Sequence, residues 1–248
     1  LDGGVATVTI ETAEPEVVRD DMHGATVGGR QIAVELASSS APARKAPATQ
    51  PQRSGGKAAA IELNKRLVSS ATATDVLALF EDKGGDFNYV NFATSLHRLG
   101  KLRLSFKKTS APLLHKLVGR ATASIIHESS KWSPQGLANA CWGIATIGNV
   151  EAPALFAAVA AVAPKRIATF KPQELANTVW AYATAGVAAP ALFEAVAAEA
   201  PKKIATFNPQ DLANTVWAYA TVGVEAPALF EAVAAEAPKK IATFNPQD

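Results

Sequence analysis

A single cysteine among 248 residues has no partner for an intrachain disulfide, so only backbone and packing hold this chain together. Cys141 stands where two later copies of its segment carry Val179 and Val216, which marks it as a small core residue. No apolar run reaches the roughly 20 residues needed to span a bilayer, so no membrane partner is expected. Alanine raises the apolar fraction to 48%, a composition suited to closely packed helices rather than a thick core of large side chains.

The marks of catalysis are missing as well. His23, His97, His115 and His127 fall in different elements and match no metal or triad spacing. No glycine loop is built to cradle phosphate. The sequence therefore assigns no catalytic residue, no metal and no cofactor, and it is not read as an enzyme. A net charge of +2 hides strong local imbalance. Residues 1–37 hold seven acids against Arg19 and Arg30, whereas residues 97–120 hold seven lysines or arginines and no acid. Local clusters of this kind matter more to a polyanion than the sum does.

What the chain has is repetition. Residues 170–206 and 207–243 differ at four of 37 positions: Lys171/Asn208, Glu174/Asp211, Ala185/Val222 and Ala188/Glu225. A looser copy, one residue longer, starts at Trp132, and a further one starts at Phe244. The chain begins at Leu1 and stops within that last copy at Asp248, so it reads as a fragment. A period of 37–38 residues is that of stacked helical units, which bury their apolar faces only against neighbours. Asn208 is suited to cap the first helix of its unit, with Pro209 at the first helical position and Asp211 completing a capping box. Ser133 takes the cap position in the first copy, and Lys171, a poor cap, in the second. Gly223 supplies the left-handed stop, and Pro227 opens the second helix. The second helix's apolar stripe (Leu229, Val233, Ala237, Ile241) runs through Pro238, which predicts a kinked helix continuing past the proline. Trp142, Trp180 and Trp217 fall in the apolar rows of the first helices and are expected in the inter-repeat core.

The fold class is thus mainly α: an α-solenoid of helical hairpins preceded by a short α+β segment. Residues 4–10 read as a strand, 13–22 as a helix and 31–36 as a second strand. Residues 38–60, rich in Pro, Ser, Gly and Ala, read as a disordered linker. Residues 61–130 are divergent helical repeats, with a hairpin over 61–82, a turn at 82–86 and helices over 87–102 and 111–129; residues 131–248 are the regular array.

Two resemblances follow from these residues. The segment from Gly3 to Ala37 resembles the second half of an RNA-recognition motif, the RRM: its third strand, second helix and fourth strand. Gly4, Ala6 and Val8 agree with that family's third-strand pattern, and Met22-His23-Gly24 followed by Gly29-Arg30-Gln31-Ile32-Ala33-Val34 carries the rest of the likeness. The pattern's aromatics are replaced by Val5, Thr7 and Ile10, which offer no flat face for a base. From Ile61 to Asp248, FNYVNFATSLHRLGKL and the LANTVWAYATVG copies resemble octotricopeptide-like and FAST-kinase-like repeats of organellar RNA-binding proteins, including subunits of RNA-editing substrate-binding complexes. That resemblance implies a mitochondrial or plastid protein that supports RNA processing, editing or stability.

The residues set out their own candidates for binding single-stranded RNA. Arg98, Lys101, Arg103, Lys107, Lys108, Lys116 and Arg120 form the unopposed basic segment. Lys165/Arg166, Lys202/Lys203 and Lys239/Lys240 supply one basic pair per repeat, and Asn139, Asn177 and Asn214 one amide per repeat on the first helix. The expected partners are single-stranded RNA and other RNA-processing proteins. The competing reading is a protein-interaction scaffold, because the array from Lys131 onward carries eight basic and nine acidic residues.

Overall fold

The computed structural model describes residues 26–27, 30–31, 55–102, 111–148 and 150–240. The chain divides into two units, Leu1–Pro51 and Gln52–Asp248. In the first, strands β1 (Thr26–Val27) and β2 (Arg30–Gln31) pair antiparallel, Thr26 opposite Gln31 and Val27 opposite Arg30. Two glycines separate them in sequence, the residue type that a two-residue hairpin connection favours. The remainder of the RRM-like segment and most of the expected linker lie outside the described residues.

The second unit is helical throughout its described part. Its helices are α1 (Gly55–Ser69), α2 (Ala73–Lys83), α3 (Tyr89–Lys101), α4 (Ala111–His127), α5 (Pro134–Ile147), α6 (Pro153–Val162), α7 (Pro172–Ala185), α8 (Pro190–Glu199), α9 (Pro209–Val222) and α10 (Pro227–Lys240). Helix α1 starts at Gly55, so the last residues of the expected linker are helical instead: Lys57 and the three alanines after it are good helix formers and carry the helix back past Ile61. The helices form two layers. The first members of each hairpin pack side by side in the order α1, α3, α5, α7, α9, and the second members lie behind them. One continuous apolar core runs between the layers from Leu63 to Leu229.

Each hairpin is started and stopped by the residues that repeat. Asn208 accepts from the Asp211 backbone N–H at 2.8 Å, and the Asp211 carboxylate accepts from the Asn208 N–H at 3.1 Å. Ser133 caps α5 by accepting from Gly136 N–H at 3.1 Å. At α7 only the return bond forms: the Glu174 carboxylate accepts from the Lys171 N–H at 2.8 Å. Gly186 and Gly223 end α7 and α9 with φ of 65° and 68°, a left-handed conformation that favours glycine.

At Pro238 the helix runs on through the proline as expected, whereas the two earlier repeats differ. Helices α6 and α8 stop before Pro164 and Pro201, and the chain tightens into 3₁₀ segments, Pro164–Thr169 and Ala200–Thr206. Tightening removes the demand for the hydrogen bond that the proline nitrogen cannot donate, yet keeps the apolar stripe facing inward, so Ile167 stays buried. In the last hairpin Pro238 lies within α10, described to Lys240.

Candidate nucleic-acid interface

The 3₁₀ segments explain the basic pairs. Arg166 donates to the carbonyls of Ser129 (2.9 Å) and Trp132 (2.6 Å) in the preceding hairpin. One repeat on, Lys203 Nζ donates to Ala168 (2.6 Å) and Phe170 (2.8 Å), and Lys240 Nζ donates to Ala205 (2.7 Å) and Phe207 (2.5 Å). These cations tie each hairpin to the one before it. Lys202 and Lys239 pair with Glu199 and Glu236, both at 2.9 Å. Hydrogen bonds from Lys202 and Lys203 hold the Glu199 carboxyl below the usual range, and those from Lys239 and Lys240 do the same for Glu236. Lys165 is exposed and has Val162 where the later copies have glutamate. Three of the six members therefore tie hairpins together, Lys202 and Lys239 form ion pairs within their own segments, and Lys165 is exposed.

The basic segment is divided similarly. Arg98 donates to the Ser70 carbonyl at 2.5 Å, anchoring the α1–α2 connection. The Arg120 guanidinium lies 5.9 Å from the Phe80 ring centre and 5.6 Å from that of Phe92. Lys116 is exposed on α4, in the second layer. Arg103, Lys107 and Lys108 lie outside the described residues. Among the described members of this segment, Lys101, at the end of α3, faces the groove described next.

That groove, about 450 Å³, runs across the exposed side of α3, α5, α7 and α9. Asn139, Asn177 and Asn214 all line it, so the three amides placed one per repeat by sequence share one surface. Gln135, Gln173 and Gln210 line it too. Sequence reasoning passed over these glutamines although the signal was there: each stands four residues before its asparagine, and i, i+4 residues share a helix face. No hydrogen bond within the described residues engages any of the six side-chain amides. The asparagines are half-buried and the glutamines exposed, so their donors and acceptors face the groove. Lys101 and Lys171 add positive charge and Glu174 one negative charge.

The tryptophans also differ from expectation. Trp132 is the one of the four that is fully buried, at 1% exposure, while Trp142 and Trp180 are half-buried and Trp217 is 46% exposed. Trp142, Trp180 and Trp217 each follow the groove asparagine by three residues, so they border the amide stripe, and Trp180 packs against the core as well. His97 is the equivalent residue on α3, its ring 5.1 Å from that of Trp142, and the Trp180 and Trp217 rings are 6.4 Å apart. Burial, and then the charges of Lys101 and Arg98, push the His97 imidazole below its ordinary pKa. Cys141, behind this face, is fully buried, and burial pushes its thiol strongly upward, so it is a packing residue.

No family model matches the chain. A chloroplast protein of Oryza sativa subsp. japonica described as a RAP domain-containing protein is 29% identical over 158 residues, 55% of this chain and 24% of that protein. The chain thus spans about a quarter of the length of this distant relative. No described helix is long and apolar enough to cross a membrane. Among the described residues, no group of His, Cys, Asp or Glu is arranged to hold a metal ion.

Proposed function

We propose that this chain binds single-stranded RNA along the groove of its first-helix layer, as part of plastid RNA processing or stability. The observation that carries the reading is the convergence of six unengaged amides from three successive repeats on one groove that also holds Lys101 and Lys171. Amides donate and accept together, which suits base edges, and unpaired strands expose those edges. The chloroplast relative supports a plastid over a mitochondrion. The reading involves no turnover.

A protein scaffold is the rival, supported by the neutral array and by the cations tied up between hairpins. Salt separates the two. Each phosphate contact on a single strand contributes about −0.7 to the slope of log affinity against log salt. Lys101 and Lys171 alone give a slope of about −1.4; Arg103, Lys107 and Lys108 would raise it to about −3.5. Fluorescence anisotropy of a labelled single-stranded oligoribonucleotide between about 50 and 200 mM salt measures it. An oligonucleotide that never shifts in dilute buffer removes the RNA reading and leaves the scaffold.

A further inference from the structure

Resting on that RNA reading, we propose that the groove selects a run of one nucleotide, adenine, over mixed sequence. The argument starts from what does not vary. In three consecutive repeats the same stripe recurs: a groove glutamine, a groove asparagine four residues later, and a tryptophan three after that. Between the two most similar copies the four differences all avoid this stripe. Lys171/Asn208 and Glu174/Asp211 sit at the start of the first helix, and Ala185/Val222 and Ala188/Glu225 at or beyond its end. A surface that reads a varied sequence needs varied side chains at the reading positions. Here the amides recur unchanged, and the groove varies between these copies only at its edge, where Lys171 and Glu174 stand in one and Asn208 and Asp211 in the next.

The chemistry of the stripe favours adenine. A carboxamide presents a carbonyl oxygen beside an NH₂ group, the complement of the adenine N6–H and N7 pair. Adenine repeats the donor–acceptor pattern on its other edge with N6–H and N1, so a base lying either way round meets it. The Trp142 indole, which lines the groove, supplies a flat wall, and a purine covers more of such a wall than a pyrimidine does. None of the groove amides is engaged within the described protein, so reading a base breaks no internal hydrogen bond there.

The test uses the whole chain and labelled oligoadenylate, oligouridylate, oligocytidylate and a mixed strand, each of about twelve nucleotides. Oligoadenylate is expected to bind at least about tenfold tighter than the mixed strand. Replacing all three groove asparagines (Asn139→Ala, Asn177→Ala, Asn214→Ala) should bring oligoadenylate down to the mixed strand's affinity. Alanine is the better helix former, so the melting temperature should not fall. Equal, salt-sensitive binding of every strand overturns the adenine-tract proposal and leaves the RNA reading standing. So does tighter binding of oligouridylate or oligocytidylate, or a preference that survives in the triple variant. Failure of every strand to bind overturns both.

Discussion

At Gly143 a single hydrogen separates two helix backbones. A Cβ there would lie 2.2 Å from the Leu96 carbonyl oxygen, and one on Gly100 would lie 3.0 Å from the Gly143 Cα. Helices α3 and α5 therefore touch backbone to backbone, whereas the equivalent places in α7 and α9 carry Ala181 and Ala218. Gly143→Ala should cost about 1–3 kcal/mol through overpacking, read as a lower urea midpoint at unchanged slope. Gly119→Ala in α4 is the contrasting case: an added Cβ meets nothing within 4 Å, and the variant should gain about 0.8–1 kcal/mol. The exchange of alanine for glycine is visible in the repeat alignment, but one helix's sequence does not say which backbone crosses it. The same limit explains the tryptophans. Their rows adjoin the apolar rows, and only the packing of neighbours decides that Trp132 is covered while Trp142 and Trp180 are half-buried. The amides were legible because polarity at a helical period needs no knowledge of the neighbour. The engagement of Arg166, Lys203 and Lys240 was not, because their acceptors are backbone carbonyls that every sequence possesses.

At the scale of elements, the start of α7 sets stability against binding. Lys171 offers no side-chain acceptor to the first turn, whereas Asn208 at the same place in α9 accepts from Asp211 N–H. Lys171→Asn should therefore stabilise the protein by about 0.5–2 kcal/mol. It also removes a groove cation, so RNA affinity should fall and the salt slope should shrink by about 0.7. Chemical denaturation and anisotropy on one variant should thus move in opposite directions. The 3₁₀ segments add a pH dependence. Glu199 and Glu236 titrate below the ordinary glutamate value because lysines hydrogen-bond their charged forms. A depressed carboxyl pKa means that the stabilisation is complete above the unfolded value, about 4.3, and is lost as pH falls through the lower folded value. Glu199→Gln, Glu236→Gln should lower the melting temperature at neutral pH. Between about pH 6 and pH 3 the double variant should lose less stability than the wild type.

Across the whole molecule, the period alone predicted the hairpins, and the caps, glycine stops and prolines predicted where the first helices begin and end and where the second ones start. Sequence patterning missed the passage from α-helix to 3₁₀ at Pro164 and Pro201, since an apolar stripe continues inward through either form. The near identity of successive units leads to a further expectation. Helix α9 packs on α7 and α7 on α5, and α9 buries Leu212, Thr215 and Tyr219 where α7 buries Leu175, Thr178 and Tyr182, the same residues one repeat earlier. The Tyr219 hydroxyl donates to the Phe193 carbonyl at 2.6 Å, as that of Tyr182 donates to Phe156 at 2.5 Å. Each seam therefore fits the next, and removing residues 170–206 should let α9 dock on α5 with its hydrogen bonds intact. In a quasi-one-dimensional array, stability is a sum of units and seams. The shortened chain should still melt in one transition, at a lower temperature and with the same helical signal per residue in circular dichroism. It should bind RNA more weakly, because the groove loses Gln173, Asn177 and Lys171 together. A shortened chain that is unfolded would show that the seams are not interchangeable. One that is folded with undiminished RNA affinity would show that the groove does not act along its length.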